Sequence, residues 1–146
     1  MGITFKEIKS EVEHLEEADL SQQGQVDPKI YMSQFLSRLF AARNAAHFAH
    51  WMTTSYAQHI ALQTFYETIL SLADTLAESF IGRYGKFEGF PNVKESATDP
   101  LIVVGNLTKW IDANRSALTE NSEIQNQIDE IVTLCNQTAY RLRELR

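Results

Sequence analysis

Apolar residues recur every three or four positions through five stretches of the chain, and that spacing predicts five amphipathic helices. Phe5, Ile8, Val12 and Leu15 mark the first, over 4–19. Tyr31, Phe35, Leu39, Ala42, Ala46 and Ala49 mark the second, over 28–52. The third, over 56–81, carries Leu62, Phe65, Ile69, Leu72, Leu76 and Phe80. Val104, Leu107, Ile111 and Leu118, with Trp110 beside them, give a fourth over 100–119. Ile124, Ile128, Ile131, Cys135, Ala139 and Leu142 give the last, over 122–145. No stretch alternates with a period of two, so an all-α protein without a sheet is expected.

The helix starts are written locally. Thr4-x-x-Glu7, Ser55-x-x-Gln58 and Ser122-x-x-Gln125 each fit a capping box, in which two side chains satisfy each other's free amides. Asp27-Pro28 and Asp99-Pro100 each set a capping carboxylate before a proline at the first helical position. Arg141, Arg143 and Arg146 close the last helix, where cations favour its dipole.

Connection lengths set the topology. Met52 to Thr54 is a tight turn, so the second and third helices form an antiparallel hairpin. The stretch from Gly82 to Thr98 is long enough to run back along a bundle, with Tyr84, Phe87 and Phe90 expected to pin it down. Two hairpins joined by one long crossover make the ferritin-like four-helix arrangement. Residues 1–27 then form an extra N-terminal helix and linker, and residues 28–146 form the bundle, all as a single domain.

Composition narrows the function. A net charge of −6 and an acidic run from Glu11 to Glu17 argue against a nucleic-acid surface, which needs clustered Lys and Arg. There is no apolar run that would span a bilayer and no signal segment, so no membrane partner is expected. One cysteine, Cys135, on the core stripe, forms no internal disulfide; a cytoplasmic location is the expectation.

The polar residues on the third helix carry the candidate chemistry. His50 and His59 lie equally far from the hairpin turn, so their imidazoles can converge. Fifteen residues separate His59 from Asp74, which leaves about 60° of rotation, and Glu78 follows one turn later on the same face. The axial separation is nevertheless about 22 Å, whereas a metal–ligand bond is about 2 Å. One chain cannot close such a site. Two can, if their third helices pack antiparallel about a two-fold axis between Tyr66 and Glu67. His50 and His59 of one subunit then meet Asp74 and Glu78 of the other. Imidazoles with carboxylates and no thiolate suit ferrous iron, and also zinc or manganese.

The run His50-Trp51, His59 and Asp74-Thr75-Leu76-Ala77-Glu78 resembles the Dps family of ferritin-like mini-ferritins, including its spacing of fifteen between His and Asp. The resemblance covers about 40 residues and implies that His50, His59, Asp74 and Glu78 form a ferroxidase centre shared across a two-fold dimer. It further implies a homo-oligomer, up to a hollow dodecamer, that oxidises ferrous iron and stores the product. Gln63 stands where the family has an Asp, so it enters the metal-ligand set through its carbonyl but without charge. The turn after Trp51 is about three residues shorter than in the family, the ferritin Glu-x-x-His pair does not occur, and no Lys-rich tail supports DNA binding.

Plainer readings stand beside these. His47 reads as a packed or surface histidine, and Trp51 as a core or dimer-interface anchor. Glu67 would meet its own copy at the axis, where two carboxylates repel unless protonated or paired; it could also supply the charge that Gln63 lacks. The rival functional expectation is a non-enzymatic ferritin-like interaction or assembly protein, of the kind phages encode, that has lost the iron chemistry.

Overall fold

The computed structural model describes residues 26–145, which fold as four α-helices with no strand among them. The expected first helix lies outside the described residues. The others are α1 (Pro28–Met52), α2 (Tyr56–Tyr84), α3 (Pro100–Leu118) and α4 (Ser122–Glu144). Asp27 and Asp99 cap α1 and α3, accepting at 2.9 Å from the backbone amides of Lys29 and Leu101.

Of the two capping boxes in this region, one is half formed and the other does not form. Ser55 Oγ accepts from the Gln58 amide at 3.2 Å, but the Gln58 side chain accepts a hydrogen bond from Thr53 Oγ1 instead of returning to Ser55. Asn121, not Ser122, occupies the N-cap of α4, and it makes no side-chain cap bond. Gln125 donates to the carbonyls of Arg115 and Thr119 and so ties α4 to the end of α3. The third predicted helix runs three residues further than expected, because Tyr84 still packs against Phe80. Gly85 then ends it with φ +88°, a conformation that glycine adopts without steric cost.

Each helix packs on two others, in the order α1–α2–α4–α3 around one core. The buried positions are those of the apolar stripes: Phe35 and Leu39 on α1, Phe65, Ile69 and Leu76 on α2, Ile111 on α3, Ile128 and Ile131 on α4. Burying each such side chain contributes roughly 1.5–3 kcal/mol. Phe35 stacks on Trp110 at 5.5 Å and fixes α1 against α3. The Gln127 amide donates to Ser79 Oγ at 2.9 Å and links α4 to α2.

Pro28 at the start of α1, Tyr84 at the end of α2, Ala117 near the end of α3 and Asn121 before α4 line one cavity. These four termini therefore meet at one end of the molecule. The segment from Gly85 to Asp99 must travel its whole length to begin α3 at the other end. Tyr84 belongs to α2 rather than to this crossover. Its hydroxyl bonds Thr119 Oγ1 at 2.9 Å and accepts from the Asn121 amide. Phe87 does pin the crossover, stacked on Phe80 at 5.4 Å, whereas Phe90 remains 62 % exposed.

Candidate metal centre

A three-residue turn, Thr53 to Ser55, brings the last turn of α1 beside the first turns of α2. His50 and His59 face each other across it, with ring centroids 3.7 Å apart. His50 Nδ1 lies 2.8 Å from the His59 carbonyl oxygen, and His59 Nδ1 lies 3.0 Å from that of His50. A carbonyl oxygen only accepts, so each Nδ1 carries a proton and donates it. In a neutral imidazole that leaves Nε2 with the lone pair a metal would use. His50 is only 7 % exposed, and His59 is half-buried.

Aromatic neighbours hold this pair. Tyr66 presents its ring to the edge of His50 at 5.2 Å and stacks on His47 at 3.9 Å. His47 also lies 4.6 Å from Trp51. His47 is thus a packed histidine. Trp51 is 65 % exposed, so it is not a core anchor. The reason is angular: Trp51 falls on the outward side of α1, the side that carries Asn44 and Phe48.

The remaining candidates follow the outward face of α2. The Gln63 amide nitrogen donates to Glu67 Oε1 at 3.1 Å, which leaves the Gln63 carbonyl oxygen free for an ion and brings a carboxylate beside it. Asp74 and Glu78 are exposed, and Asp74 edges a groove of about 350 Å³ between α1, α2 and the crossover. Fifteen residues of continuous helix hold Asp74 about 22 Å from His59. Among the described residues, no three His, Cys, Asp or Glu side chains gather where one ion could sit. Within one chain the structure joins His50 to His59 and Gln63 to Glu67, and keeps both pairs apart from Asp74 and Glu78.

Sequence reasoning missed two residues of this surface. Tyr66 follows His59 by seven residues and Arg43 precedes His50 by seven, so both share the histidines' side of the hairpin. That two-turn spacing was the available signal. Cys135 is fully buried between helices, and burial pushes its thiol from the ordinary 9.0 up to about 12, against a smaller opposing effect of a hydrogen bond with Thr108. No helix among the described residues is long and apolar enough to cross a membrane.

Residues 50–142 match a family of unknown function, DUF5856. The chain belongs to this family. All five candidate ligands, from His50 to Glu78, lie inside the DUF5856 segment. The chain is also similar to a protein of Enterobacteria phage T4, an uncharacterized 14.6 kDa protein in the mobD–ri intergenic region. The two are 28% identical over 126 residues, which cover 86% of this chain and 95% of the phage protein. No solved structure matches the chain.

Proposed function

We propose that this DUF5856 protein is a divergent ferritin-like protein of the Dps type, acting in the cytoplasm on ferrous iron as its substrate. Iron is held, oxidised and sequestered at sites shared across a two-fold dimer, with His50 and His59 from one subunit and Asp74 and Glu78 from the other. Two hairpins joined by a crossover that runs the length of the molecule support the ferritin-like reading. The observation that carries the site is the reciprocal pair of Nδ1–carbonyl bonds at His50 and His59. A backbone carbonyl behind an imidazole fixes its tautomer and orients the other nitrogen for a metal.

The donor set fits a divalent ion of the iron, manganese or zinc kind: two imidazoles, the Gln63 carbonyl, and carboxylates from the mate. Glu67, hydrogen-bonded to Gln63, supplies the negative charge that Gln63 lacks. The protein orients these donors, while dioxygen or peroxide takes the electrons. His59→Ala and Asp74→Asn should each abolish the growth of ferric absorbance after ferrous iron is added. Unchanged iron oxidation in both would reject these roles.

A second reading has its own support. Mutual carbonyl bonds and stacked rings are also what a purely structural clasp of the hairpin requires, as in a helical assembly protein without iron chemistry. Elemental analysis with solution mass separates the two: bound iron in a large oligomer favours the first, a metal-free small species the second.

A further inference from the structure

The crossover does not seal against the helices it passes. Between α1, α3 and residues 93–95 a cleft of about 30 Å³ remains, apolar at Ala42 and Leu107 and polar at Arg38, Lys94, Glu95 and Asn106. The Arg38 guanidinium lies over the Trp110 ring, 5.1 Å from its centroid, and Phe35 stacks on the same ring. Those contacts hold the charge in place but supply no oxygen acceptor. Arg38 Nε is buried without a partner, and no ion pair among the described residues includes Arg38. A charged donor buried in that way is costly, so an acceptor from outside the chain is expected.

Glu95 is not that acceptor. Its Oε1 takes a hydrogen bond from the Ala97 amide at 2.8 Å, and it pairs with neither cation of the cleft. The cleft therefore carries two cations, Arg38 and Lys94, against one carboxylate. The chain as a whole has a net charge of −6, so the local balance is the reverse of the overall one.

We propose that this cleft binds a phosphate group. Arg38 grips its oxygens from α1, the Asn106 amide donates from α3, and the exposed Lys94 closes over it from the crossover. Donors from three separate segments suit a tetrahedral oxyanion, which offers oxygens in every direction. A carboxylate is planar and offers two oxygens in one. The room inside is that of about one or two water-sized atoms, so part of the anion enters and the rest faces solvent. Inorganic phosphate and the phosphate of a small monoester present the same group there. A water in that place would accept from Nε and leave the charge of Arg38 uncompensated. Arg38 precedes His50 by twelve residues, about 18 Å along α1. The anion site therefore stands or falls apart from the iron reading.

The test is titration of the full chain with inorganic phosphate, against sodium chloride at equal ionic strength, followed by calorimetry and hydrogen exchange. Binding should saturate and should slow exchange at residues 93–97, because the anion ties the crossover to two helices. Sulfate should displace the phosphate, and acetate should not. Arg38→Gln should weaken binding about tenfold or more, and Arg38→Lys, which keeps the charge but loses the fork, about threefold, both with helicity unchanged. Glu95→Gln should tighten it, since a like charge is gone. A phosphate monoester that binds as well as the inorganic ion assigns the site to the phosphate of a small molecule; binding of the inorganic ion alone assigns it to the free anion. Either outcome supports the site. A response no different from that to chloride overturns the inference and leaves water on Arg38. Phosphate binding unchanged by both Arg38 variants overturns it as well.

Discussion

His50 and His59 clasp each other's backbone: each donates from Nδ1 to the other's carbonyl oxygen, with the rings stacked between. This closes the α1–α2 turn at the end of the bundle furthest from the chain's other tight turn. The pair holds the hairpin in register. Replacing His50 by Ala removes its Nδ1 hydrogen bond to the His59 carbonyl and a buried ring, while the backbone carbonyl that His59 bonds remains. The loss should be about 2–4 kcal/mol, read as a lower denaturation midpoint in urea. A loss below about 0.5 kcal/mol would show that the clasp bears no strain in the fold.

Asp99 is the simplest cap to test, since its carboxylate is exposed and serves the Leu101 amide alone. Asp99→Ala should cost about 1 kcal/mol, and Asp99→Asn only a few tenths. Thermal unfolding of the two variants checks the order. Equal melting temperatures would assign the start of α3 to Pro100 instead.

Tyr84 joins the end of α2 to the turn between α3 and α4 through Thr119 and Asn121. Tyr84→Phe keeps the ring against Phe80 and removes only the hydroxyl. The expected loss is about 1 kcal/mol, because the Asn121 side-chain amide loses its acceptor and Thr119 Oγ1 keeps only its bond from the Asn121 backbone amide. Amide exchange should quicken between Thr119 and Ser122 and stay unchanged at His50 and His59.

Burial holds the Cys135 thiol at about 12, above its ordinary 9.0. A folded-state value raised above the unfolded one gives stability that is complete below pH 9 and lost as pH climbs from there to about 12. The slope in that window should approach about 1.4 kcal/mol per pH unit. Cys135→Ala should be less stable at neutral pH and should lose this alkaline slope. At pH 8 a thiol reagent should leave the folded wild type unmodified and label it only after denaturation.

The chain's linear order determined the helices, because their causes are local. The stripe from Phe65 to Phe80 has the helical period, Asp27 and Asp99 precede prolines, and a three-residue link between Met52 and Tyr56 leaves no choice but an antiparallel hairpin. The facing of His50 and His59 was legible for the same reason, since equal distances from a tight turn put two residues side by side. Only the tertiary structure decided where polar groups went once several acceptors competed. Gln125 left its capping box for the carbonyls of Arg115 and Thr119, and Tyr84 stayed helical to reach Asn121. Trp51 turned to the surface while the Nε of Arg43 was buried with no acceptor among the described residues, because the place of each on α1 is set by packing around the whole core. Periodicity reports which side of a helix is apolar. Which neighbour that side meets, and what it leaves exposed, is a property of all four helices together.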